Sequence, residues 1–118
     1  MSSSPHNAFI AWLDAELAQR RWSYHQLARR SGLSHSMLSR VRRGGAPGWS
    51  LCRAVAAALD LPPEQVLRQA GLLPPVSPEQ AEYEAFRHLL AQLSGEDRQE
   101  LLEIARLKLN LDRENYPR

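Results

Sequence analysis

Cap and turn residues punctuate this chain at short intervals, and every stretch between them carries its apolar residues at helical period. No segment shows the alternating, β-branched pattern of a strand, so the expected fold is all-α. A first helix over 8–21 places Phe9, Trp12, Leu13 and Leu17 on one stripe. Ser23 stands where an N-cap is needed for a second helix, with Leu27 and Ala28 inward, and Gly32 suits the left-handed conformation that ends it. Ser34 caps a third helix over 35–43, with Met37, Leu38 and Val41 inward, and Gly44 and Gly45 stop it. Pro47 and Gly48 turn the chain into a fourth helix over 49–59. That helix is apolar almost all round (Leu51, Val55, Ala56, Leu59) and carries Cys52 as a packing residue. Pro63 opens a fifth, with Val66 and Leu67 inward and Gly71 at its end.

Leu73-Pro74-Pro75-Val76 reads as a linker, because consecutive prolines cannot continue a helix. The expected organisation is therefore a five-helix domain over 1–73, a Pro-rich linker over 74–78 and a helical hairpin over 79–118. Ser77, Pro78 and Gln80 form a capping-box arrangement for helix six, to about residue 93. Ser94 caps helix seven to about residue 111, and the polar residues 112–118 are expected to fray. Glu96, Asp97, Glu100 and Glu103 suit the helix-seven N-terminus electrostatically. A two-helix hairpin buries one stripe per helix, yet these helices carry more apolar residues than one partner requires. Phe86, Leu90, Leu93, Leu101, Ile104 and Leu107 are the expected dimerisation residues, with a different protein as the rival occupant.

Charge divides the chain in the same place. Residues 1–73 hold nine arginines against four acids, whereas 74–118 hold six basic residues against nine acids. Between Glu16 and Asp60 there is no acid at all, only Arg20, Arg21, Arg29, Arg30, Arg40, Arg42, Arg43 and Arg53, a pattern suited to a surface that faces phosphates. One cysteine excludes an internal disulfide and a zinc site of the usual tetrahedral kind; no metal and no cofactor are expected. No apolar run reaches the roughly 18 residues of a membrane span and no signal-type start is visible, so a cytoplasmic protein is expected. His25 and His88 read as surface residues, and Trp12, Trp22 and Trp49 as core or core-edge residues.

The order Ser23, Leu27-Ala28, Gly32, Leu33-Ser34, Gly44, then Leu59-Asp60-Leu61 and Val66-Leu67, resembles the phage-repressor and Cro type of helix-turn-helix, the XRE family. The resemblance covers about 8–71 and does not extend to helices six and seven. It implies a lambda-repressor-like five-helix fold that places the first turn of the third helix in the major groove of double-stranded DNA. Carried over position by position, it makes His35, Ser36, Ser39 and Arg40 the base-contacting residues and Arg43 a phosphate contact. Ser23, Tyr24 and Arg42 are further candidate phosphate contacts, and Arg20 or Arg21 outer ones. Two positions depart from the family. Tyr24 stands opposite His35 where a Gln is frequent, and Leu17 and Arg42 replace an Arg and Glu that pair helix one with helix three.

No nucleophile, phosphate-cradling loop or metal cluster points to an enzyme. The expected function is a sequence-specific transcriptional regulator, a repressor acting as a homodimer on a palindromic operator. The alternatives are an autorepressing antitoxin and a helical adaptor that binds proteins in place of DNA.

Overall fold

The computed structural model describes residues 5–115, and among them only helices occur. In chain order they are α1 (Pro5–Arg20), α2 (Tyr24–Ser31), α3 (His35–Arg42), α4 (Trp49–Leu59), α5 (Pro63–Gln69), α6 (Pro78–Leu90) and α7 (Gly95–Asn115). The all-α expectation holds. The first helix begins three residues earlier than its apolar stripe suggested. The last runs on through the polar residues to Asn115, while 116–118 lie outside the described residues.

Two compact units make up the chain, Met1–Ala85 and Phe86–Arg118. Among the described residues the first holds the buried core: Phe9, Leu13 and Leu17 from α1, Leu27 and Ala28 from α2, Leu38 and Val41 from α3, five residues of α4, Val66 and Leu67 of α5, and Ala70. Helix α4 is the hub. Leu51, Cys52, Val55, Ala56 and Leu59 give it a broad buried face, and it packs against α5 and α2, while α1 packs against α5 and α3. Burial of the Cys52 thiol pushes its pKa up to about 11, so it is a neutral packing group, as its neighbours on the sequence implied.

Four of the helices end by one repeated device. After α1, the Trp22 N–H donates to the Leu17 carbonyl at 2.9 Å and the Arg21 N–H to Ala18 at 3.1 Å, with Arg21 left-handed at φ 58°. The same pair of bonds closes α3 at Gly44, α4 at Asp60 and α5 at Gly71. Each chain reversal thus satisfies the last carbonyls without water and turns sharply enough to keep the domain small.

Part of α6 belongs to the first unit. Arg68 of α5 donates to the Glu84 carboxylate at 2.5 Å, and both side chains are largely covered. Ser77 caps this helix as expected, its Oγ accepting the Gln80 N–H at 3.1 Å. In the second unit, Ser94 Oγ accepts the Asp97 N–H at 3.1 Å to start α7, and Arg98 donates to the Leu90 carbonyl at 3.2 Å.

Three expectations are corrected. Met37 is not inward but 36% exposed, and Trp49 is no core residue, at 53% exposed. Nor do the C-terminal helices bury a stripe apiece: no described residue of α6 or α7 is buried, and Phe86 and Leu107 are 58% and 61% exposed. Every leucine of α7 is at least 44% exposed.

Candidate nucleic-acid interface

Helix α2, the turn 32–34 and α3 form the candidate interface, and local sequence sets each of its joints. Ser23 Oγ accepts the Gln26 N–H at 3.2 Å while the Gln26 side chain accepts the Ser23 N–H at 2.8 Å, a complete capping box. That leaves the Tyr24 and His25 N–H groups as the donors of the α2 N-terminus. At the other end Gly32 adopts φ 76° and its N–H donates to the Ala28 carbonyl at 3.0 Å. A side chain there would be strained, so glycine fixes the turn that swings α3 across α2. Ser34 then caps α3, its Oγ accepting the Met37 N–H at 3.2 Å.

Only Leu38 and Val41 of α3 are buried. His35, Ser36 and Arg40 are exposed and Ser39 is half-buried, so the four candidate base contacts share one helix and none is part of the core. Ser36 Oγ lies 3.2 Å from Ser34 Oγ, and the His35 ring is stacked on His25 of α2 with centroids 4.8 Å apart. The ring that meets His35 is therefore that of His25, and Tyr24 points elsewhere. Arg40 and Arg43 are exposed and bridged to no carboxylate among the described residues.

Tyr24 joins three helices. Its hydroxyl donates to the Asp14 carboxylate of α1 at 2.5 Å, and the Arg42 guanidinium of α3 lies 4.1 Å from the centre of its ring. Burial, and then the Asp14 carboxylate, hold this phenol well above the ordinary range, so it is a neutral donor. A sequence with Leu17 and Arg42 in place of a direct pair between helices one and three thus ties them through Tyr24. Leu17 itself is buried in the core. The hydroxyl considered for a phosphate is already given to Asp14. Arg42 keeps an exposed guanidinium at the flank of α3.

Arg20 is likewise spoken for. It donates to the Glu16 carboxylate at 2.8 Å and to the Leu59 carbonyl at 2.9 Å, which makes it a strut between α1 and α4 and removes it from the outer phosphate contacts. Arg21 remains exposed, as do Arg29 and Arg30, the latter with its guanidinium 4.3 Å from the centre of the Trp22 ring. The acid-free stretch of the sequence becomes a surface on which five exposed arginines of α2, α3 and their flanks (Arg29, Arg30, Arg40, Arg42, Arg43) meet no carboxylate bridge among the described residues.

Reading the sequence missed His25, Met37 and Gly45. A stacking partner ten residues away leaves no periodic signal, and on a helix as short as α3 the spacing of apolar residues does not settle where the buried face ends. Gly45 is a matter of close approach. A Cβ built there would lie 2.9 Å from the Arg40 carbonyl oxygen and 3.0 Å from Arg40 Cγ. Among the described residues no three of His, Cys, Asp or Glu gather as a metal site, and no helix is long and apolar enough to cross a membrane.

Comparison with known families gives one match. Residues 13–66, from within α1 to within α5, match the family model described as helix-turn-helix. No curated protein and no solved structure matches the chain.

Proposed function

We propose that residues 13–66, which match the helix-turn-helix family model, are a DNA-binding domain of the XRE type, and that the chain represses transcription by binding a palindromic operator as a homodimer. The observation that carries the reading is the outward face of α3, where His35, Ser36, Ser39 and Arg40 stand free of the core beside unneutralised arginines. Arg40 bonds guanine O6 and N7 in a bidentate way, worth about 1 to 3 kcal/mol of discrimination. His35, Ser36 and Ser39 contact neighbouring base edges. Arg43, Arg42, Ser23 and the N–H groups at the α2 N-terminus hold phosphates on either side and set the register; Tyr24 adds to them by fixing Arg42 and not through its hydroxyl.

In this reading 1–73 is the DNA-binding domain, 74–78 the linker and 79–118 the element that pairs two copies. One small helix-turn-helix contacts few base pairs, and two copies place their recognition helices about 34 to 36 Å apart on one face of the duplex. The bare apolar side chains of α6 and α7, among them Phe86, Leu90, Leu101, Ile104 and Leu107 with half-buried Leu93, supply the surface such pairing requires. The protein then works in the cytoplasm on the nucleoid, without a cofactor and without a catalytic step. The same bare surface is the observation that favours a second reading, an antitoxin or adaptor whose C-terminal helices hold a different protein.

Selection of bound sequences from random duplex DNA, with Arg40→Ala run in parallel, tests the proposal. The expected result is a palindrome with half-sites about one helical turn apart and relaxed specificity in the variant. Binding through about six phosphates should also weaken by about 10³ between 50 and 200 mM salt. No enrichment at low salt overturns the DNA-binding reading, and a monomer in sedimentation at the concentration that saturates the DNA overturns the homodimer.

A further inference from the structure

We infer that Met37 reads the C5-methyl group of a thymine in the major groove, next to the base read by Arg40; the inference rests on the DNA-binding reading above. Met37 is the third residue of α3, in the turn that Ser34 caps through the Met37 N–H at 3.2 Å. Its backbone is therefore held at the end of the helix that meets the bases first. Its side chain is 36% exposed, whereas Leu38 and Val41 of the same helix are buried in the core.

Position round the helix separates Met37 from the residues that face α2. His35 stacks on His25, and Arg42 lies over the Tyr24 ring, so both take the side toward α2. Met37 is about 200° round the helix from His35, at the edge between Val41 of the core and Arg40 of the outer face. There it is three residues before Arg40, the spacing that makes two side chains neighbours on a helix surface. Exposed α3 residues are otherwise polar or cationic, which leaves Met37 as the apolar side chain of that surface.

Chemistry then narrows what it meets. A thioether has no proton to give and accepts only weakly, so it matches neither a phosphate nor the polar edge of a base. The apolar group that a base pair presents in the major groove is the thymine methyl. An unbranched, flexible chain beside a guanidinium suits a step in which Arg40 takes a guanine and Met37 covers the methyl of the adjoining thymine. Burying one such group corresponds to about a fourfold gain in affinity.

The test uses the full chain and its selected consensus duplex, with each thymine replaced in turn by deoxyuridine, which removes the methyl and changes no hydrogen-bonding atom. One thymine per half-site is expected at which the replacement weakens wild-type binding about fourfold. Met37→Ala should bind the thymine and uracil duplexes equally, and Met37→Leu should recover the preference. An undisturbed helical spectrum and thermal transition in both variants exclude loss of fold. Equal wild-type affinity for every uracil duplex overturns the inference, as does an undiminished thymine preference in Met37→Ala. Failure to select any consensus overturns the DNA-binding reading itself, a result distinct from a consensus that is indifferent to the methyl.

Discussion

Tyr24 and Gly45 act on α3 without belonging to its outer face. Tyr24 holds α1 to α3 by giving its proton to Asp14 and its ring to Arg42. With its pKa raised in the folded state, that contribution is complete below about pH 10, where the unfolded phenol also keeps its proton, and is lost as the pH rises further. Tyr24→Phe is expected to cost about 1 kcal/mol at neutral pH in denaturant unfolding and to flatten the alkaline decline. A variant as stable as the wild type would show that Asp14 gains nothing from the bond. Gly45 has a different reason to be small, since any Cβ meets both the carbonyl and the side-chain stem of Arg40. Gly45→Ala should lose about 1 to 3 kcal/mol of stability and relax specificity at the base that the proposed reading assigns to Arg40, as judged by thermal melting and by selection of bound sequences. His25, Met37 and Gly45 were illegible in the sequence because each depends on which side chain or carbonyl lies opposite, and that is set across helices.

At the scale of the elements, the caps were legible. Ser23, Ser34, Ser77 and Ser94 all accept the N–H three residues on, as their places before helical runs implied, because an N-cap is a local bond that needs no tertiary partner. Ends were legible where glycine marks them, at Gly32 and Gly44, and less so where Arg21 and Asp60 take the left-handed conformation without that signature. Helices α6 and α7 are the elements whose apolar faces the chain does not cover. On the proposed pairing, Leu107→Glu, at a side chain already 61% exposed, is expected to leave thermal stability of the first unit unchanged and to turn a concentration-dependent dimer into a monomer by sedimentation. Persistence of the dimer would place the contact elsewhere on these helices.

At the scale of the whole molecule, stability and surface charge are segregated. Among the described residues, the fifteen that form the core lie in Met1–Ala85, and none of the second unit is buried. Cys52, buried in the first turn of α4 with its pKa pushed up to about 11, should resist alkylation at neutral pH and react at the rate at which the core opens. Rapid reaction of the native protein would mean that α4 is not the closed hub described above. The sequence by itself determined the helical class, the N-caps, the core of α1, α2, α4 and α5, and the acid-free stretch of arginines, since period, capping and charge order are written in neighbours along the chain. Only the tertiary structure decided which arginines remain available, that Arg20 braces α4 and Arg42 stacks on Tyr24, that Met37 and Trp49 face out, and that α6 and α7 stay bare. The physical reason is that partnership across helices depends on packing angle and distance, which no period along one helix contains.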